Sequence, residues 1–259
     1  MRALFFARKR KTLFFIFTFI LLLSSQITFR QWLLLKQEFT IASFKLTGYK
    51  VSVYKDIVVI SKKPLTQSFL ATINNLYAQE KKYFSYNGKS RVVIVFTQKQ
   101  NLGGLFFPLS EGYYWGGVVY LPEDLETKAL PHEMSHLIVD VKTGGKISRY
   151  LHEGFAQWLE VNIGLPPAFI GDEKKIFFTI KDLEKNLDNE ENQYAAYRQS
   201  YYFIKFLEGE KGRKGIEQFL EETQKSNLEK AFIKVYGGGE EKLFAKFLKW
   251  YQFYLNYHS

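Results

Sequence analysis

The order in which two patterns follow each other constrains this chain most. Short β-branched and alternating runs fill the first half, and helical periodicity takes over from about residue 124 to the end. Residues 50–61 have strand character, and Lys50-Val51-Ser52-Val53-Tyr54 alternates within them. Another strand is expected at 40–47, with Thr47-Gly48-Tyr49 as the turn between the two. Arg91 to Thr97 is a continuous apolar run, the mark of a central strand covered on both faces. After a Gly- and aromatic-rich stretch at 101–117, which reads as a loop, Gly117 to Leu121 forms a short strand stopped by Pro122. One amphipathic helix is expected at 65–84. Further helices follow at about 124–142, 148–162, 178–187, 191–209, 213–224, 227–236 and 239–257. Strands first and helices later predict an α+β fold. Residues 40–259 read as one domain, with a β-rich half at 40–123 and a helical half at 124–259.

The chain has 259 residues and no cysteine. A disulfide scaffold, an iron–sulfur site, a thiolate zinc site and a cysteine nucleophile are therefore excluded. The fold must hold by burying apolar surface, which an 18% aromatic share supplies. The formal charge of +10 is unevenly spread: six of the 36 basic residues lie in the first 30 positions, which contain no acid. Elsewhere Lys and Glu are interspersed as on a solvated surface, so no nucleic-acid partner is expected. The leader has the order of an export signal. A basic flank at 1–11 ends in Arg8-Lys9-Arg10-Lys11, and an apolar run extends from Leu13 to Leu23. Residues 12–29 are expected to be a signal anchor or a signal peptide, followed by a juxtamembrane stretch at 30–39. No clear small-residue cleavage site follows, which favours a single-pass anchor in the cell membrane. Its basic flank would be cytoplasmic and the remainder extracytoplasmic, with secretion after cleavage as the alternative.

Any imidazole chemistry must come from His132, His136, His152 and His258. Two of them fall in His132-Glu133-Met134-Ser135-His136, an HExxH on a predicted helix. Residues four apart share a helical face, so both imidazoles can reach one cation, and Glu133 beside them can accept a proton from water. Pro131 makes the helix start or bend at that point. A catalytic zinc takes three protein ligands. His152 or Glu153, at the start of a second amphipathic helix, could complete the set; Glu153 also has the plainer reading of a carboxylate favoured by the helix dipole. The metzincin continuation is absent, since position 142 is a lysine. Asp140, one turn after His136, is a candidate to orient an imidazole, or else a solvated helix-end residue.

An HExxH followed by a helix opening with Glu153-Gly154-Phe155-Ala156 resembles the gluzincin metallopeptidases, most closely the peptidase MA-like bacterial proteins. The resemblance spans roughly residues 50–255. It implies a zincin-like fold, a zinc ion (Zn2+) held by His132, His136 and Glu153, Glu133 as general base, and peptide or protein substrates. His152, at a variable family position, could compete as a ligand or stand behind one. Tyr194 to Tyr202 resembles the family's Y-x-x-S helix start, which implies Tyr197 as a catalytic phenol with Tyr201 in reserve. In that family arrangement strand 117–121 would be an edge strand bordering the cleft, and Trp115, Gly116 and Gly117 would line it; aromatics capping the core are the other reading. The expected function is a membrane-anchored extracytoplasmic zinc metallopeptidase. The alternative is a non-catalytic zincin-like binding module with a structural metal or none. An intramembrane protease is excluded because the HExxH segment carries Glu126, Lys128 and Asp140.

Overall fold

A computed structural model describes residues 27–98, 112–123, 128–167 and 176–257. Among the described residues five strands form one mixed sheet: β1 (Lys50–Tyr54), β2 (Ile57–Ser61), β3 (Val92–Thr97), β4 (Tyr113–Trp115) and β5 (Val118–Pro122), in the order β1-β2-β3-β5-β4. The 50–61 stretch is a hairpin that turns at Lys55-Asp56, with Lys55 at φ 52°. β2, β3 and β5 run parallel and are buried along their whole length, which is why they read as unbroken apolar runs. Alternation sorts their side chains. Val58, Ile60, Val93, Val95, Val118 and Tyr120 point to one face; Ile57, Val59, Ile94, Phe96, Val119 and Leu121 point to the other.

The first face is covered by α1 (Phe29–Leu46). Residues 40–47 are therefore not a strand. The helix runs through both that segment and the one read as juxtamembrane. Thr28 caps it in a reciprocal box with Gln31, and Leu33, Gln37 and Thr40 form its buried stripe. The helical period was masked in the sequence because Leu34, Leu35 and Phe39, on the outward side, are apolar as well. Buried Gln37 ties the layers together. Its amide donates to the carbonyls of Gly117 (2.7 Å) and Arg91 (3.2 Å), and its oxygen accepts from Arg91 Nε (3.2 Å). Residues 12–26 of the expected leader lie outside the described residues. Among the described ones, no helix is long and apolar enough to cross a membrane.

The strand before the HExxH helix is not an edge strand. β5 lies between β3 and β4, and β4, antiparallel to it, forms the edge. The connection is Gly116-Gly117, with φ 58° and 83°, the left-handed pair that a two-residue hairpin turn demands. This turn does not line a cleft beside the histidines. It rests on α1, with Gly116 against Trp32, Gly117 against Leu33, and Lys36 over the Trp115 ring at 3.1 Å.

The other face carries α2 (Gln67–Tyr83), the crossover from β2 to β3, and α3 (Leu130–Thr143). Pro131 sits in the first turn of α3, where its missing N–H costs nothing, so the helix begins at Leu130 rather than near 124. Gly144, left-handed at φ 66°, ends it. The helical half continues with α4 (Arg149–Asn162), α5 (Ile180–Asn186), α6 (Gln193–Lys225), α7 (Leu228–Tyr236) and α8 (Glu240–Tyr257). Gly212, at φ 66° and ψ −178°, a positive-φ conformation that glycine alone adopts readily, interrupts α6 at the expected break between 191–209 and 213–224. Aromatic rings fill this half: Phe203 packs on Phe244 and Phe247, with both pairs of ring centroids 5.1 Å apart, and Phe219 packs on Phe232 at 4.5 Å.

The backbones of α4 and α6 approach closely at Gly154. A methyl group there would stand 2.6 Å from the Ser200 carbonyl oxygen and 2.9 Å from Ile204 Cγ1. The glycine after Glu153 is thus a packing requirement. Gly154→Ala is expected to force the helices apart and cost roughly 1–3 kcal/mol, read as a lower urea midpoint with an unchanged slope.

Candidate metal centre

The helical period of α3 sets His132 and His136 one above the other, with ring centroids 4.9 Å apart and planes 88° to each other. α4 packs across α3 and brings Glu153 in from its first turns. Glu153 Oε2 lies 3.0 Å from His132 Nε2 and 3.8 Å from His136 Nε2. One donor atom from each of the three residues falls within 4.8 Å of the others, and among the described residues they form a group able to hold a metal ion. Donors about 2.0–2.2 Å from a tetrahedrally bound zinc would stand roughly 3.3 Å apart, so the observed spacing fits a three-ligand site.

Positions 153, 157 and 160 share one face of α4. Below Glu153, Glu160 Oε2 and Gln157 Nε2 both lie 3.2 Å from His132 Nδ1. A carboxylate behind a ligand imidazole fixes its tautomer and raises its basicity. Sequence reading did not single out either residue, although their spacing of four and seven from Glu153 was a usable signal. His152 is not in the group. It stacks on His136 at 4.3 Å and turns its Nε2 to Asp140 Oδ1, 3.2 Å away. Asp140 in turn accepts from the Tyr114 hydroxyl at 2.7 Å. Asp140 therefore bonds the edge strand and lies beside His152, and it does not hold the ring of His136, whose Nδ1 is unpartnered among the described residues.

Burial dominates the electrostatics. It pulls the His132 imidazole down, but Glu160 and Glu153 outweigh it and hold its pKa well above the usual value. Glu153 remains below the ordinary carboxylate range: burial pushes it up, and His132, then His152 and Arg149, more than reverse the push. His136 is driven well down by burial, followed by its histidine neighbours and Arg149. Glu133, buried, is pushed up to about 8 by desolvation, although His132 and a hydrogen bond from the Tyr114 backbone oppose the shift. Glu80 on α2 is buried beside this group, with neither oxygen partnered among the described residues. Burial and then Glu160 raise its pKa well above normal.

Tyr197 on α6 borders the group, with its ring 6.5 Å from that of His132 and its phenol held up in pKa by burial and Glu153. Arg149, which forks onto Asp188, lies on the same side and lowers Glu153. Tyr201 turns away and packs on Tyr202, with ring centroids 5.0 Å apart.

Two measurements check this geometry. Replacing Glu160 by Gln is expected to weaken metal binding about 10–100-fold in a chelator competition, with the fold intact. In the metal-free protein, native Glu133 keeps a proton that the unfolded chain releases, so stability is expected to fall as pH rises from about 4.5 to about 8. Glu133→Gln should flatten that fall by on the order of a few kcal/mol in denaturant titrations run with chelator. No family model and no curated protein matches the sequence.

Proposed function

We propose that the protein is a zincin-like, membrane-anchored, extracytoplasmic zinc metallopeptidase that hydrolyses peptide bonds. One observation carries the reading: His132, His136 and Glu153 converge from two helices, and Glu133 is buried next to them. Sequence resemblance to the gluzincins, through HExxH and E-G-x-A, supports it. The basic flank and apolar run of the leader support the anchor.

His132, His136 and Glu153 would hold the zinc, which when bound would supply Lewis acidity. Glu133 takes the proton of the attacking water and returns it to the leaving amine nitrogen, which ends the cycle with Glu133 restored. Its buried site, with a pKa lifted toward neutrality, suits a group that must both accept and donate. The Tyr197 phenol stays protonated at neutral pH and can donate to an oxyanion formed beside His132. Glu160 and Gln157 keep the His132 ring fixed through the reaction.

A second reading has an observation of its own. The His132 imidazole already sits between Glu153 and Glu160 at 3.0 and 3.2 Å, a charge-paired arrangement that could serve as a structural lock in a non-catalytic binding module. Glu133→Gln separates the two readings. The peptidase reading expects one bound zinc, chelator-sensitive cleavage of an unstructured protein substrate such as casein, and a loss of about 10²–10⁴ in rate on this change, with zinc content unaltered. Tyr197→Phe should lose on the order of 100-fold in kcat with little change in KM. Cleavage that survives Glu133→Gln would remove the proposed base.

A further inference from the structure

We propose that the outward face of α1 lies on the lipid surface of the membrane, with the helix axis along the bilayer plane. The inner face of α1 is spent on the sheet. On its outer side Leu35, Phe39, Ala42 and Leu46 follow one another at intervals of four, three and four, which makes a single strip along the helix, with Leu34 beside it. Phe39 is 71% exposed and Leu46 89%. A water-facing helix carries polar residues at such positions, and a contiguous apolar strip marks an interaction surface.

The occupant follows from the chain. The apolar run of the leader ends at Leu23, five residues before the Thr28 cap, so α1 starts within about 17 Å of that run even if the link is fully extended. The helix carries Arg30, Lys36 and Lys45 against one acid, Glu38, which Arg91 pairs at 2.5 Å. Trp32, near the start of the helix, is half-exposed, the residue type that settles at headgroup level. Apolar strip, flanking cations and interfacial tryptophan together describe a helix lying in an anionic lipid interface. At the same end Arg30, Lys146 and Lys225 border an open cavity of about 750 Å³, which adds positive charge where the chain meets the membrane. This inference rests on the leader being membrane-inserted, and is independent of metal and hydrolysis.

The absence of native cysteine allows a direct test. Phe39→Cys, Leu46→Cys and, as a control on exposed α7, Ile233→Cys would be made singly in the full chain, spin-labelled, and reconstituted into phosphatidylcholine–phosphatidylglycerol vesicles. At positions 39 and 46, collisions with lipid-soluble oxygen should exceed those with a water-soluble nickel chelate several-fold more than at position 233. Labels at 39 and 46 that behave like the one at 233, in protein that still floats with the vesicles, would overturn the seating of α1 alone. Protein that does not float overturns the inserted leader and this inference with it. Dipolar broadening between labels at position 39, equal in vesicles and in detergent, would assign the strip to a second copy of the chain and overturn the lipid contact.

Discussion

Between α3 and α4 the chain takes three carboxylates and three imidazoles out of water, and the rest of the site depends on how those charges are paired. A lone buried carboxylate costs several kcal/mol or gives up its charge. Glu153 avoids that cost through His132, and His132 through Glu153 and Glu160. Glu133 and Glu80 have no full partner, and their raised pKa values record the desolvation left uncompensated. A divalent cation among His132, His136 and Glu153 would add positive charge where these carboxylates are buried.

The scaffold meets this requirement by rigid means. α3 is buried on nearly every side, so its two histidines have little freedom. α4 is pressed onto α6 at Gly154, one residue from the carboxylate that must be positioned. Gln199 of α6 clamps the segment before α5, donating to the Phe178 carbonyl and accepting from its N–H, each at 2.8 Å. Each of these contacts joins segments distant in sequence, and only the assembled fold holds the donors together.

Much of this was legible in the sequence where chemistry and local period coincide. The i, i+4 spacing of His132 and His136 needs only a helix, and Pro131 and Gly144 mark its ends. The parallel strands were visible as β-branched runs. What escaped was long-range or disguised. α1 carries apolar residues on two faces and so lost its helical signature. β4 has only three residues inside a Gly- and aromatic-rich stretch, although Trp115-Gly116-Gly117-Val118 is itself a hairpin signal. Asp140 gave no local sign that its partners would be Tyr114, from the sheet, and His152, from α4. Gln157 and Glu160 looked like the polar face of an amphipathic helix because nothing nearby in sequence shows that α3 covers them.

The glycine pair at 116 and 117 reaches further than the turn it makes. It sets Tyr114 opposite Val119, on the side of the sheet where Asp140, His136 and His152 stand, while Tyr113 stacks on Tyr120 on the α1 side. Because successive strand residues face opposite ways, adding or deleting one residue at this bend would exchange the two tyrosines. The hydroxyl that steadies Asp140 would vanish behind the sheet, and the backbone N–H that meets Glu133 would move with it. A loop leaning on a helix across the molecule thereby dictates which phenol the histidines meet.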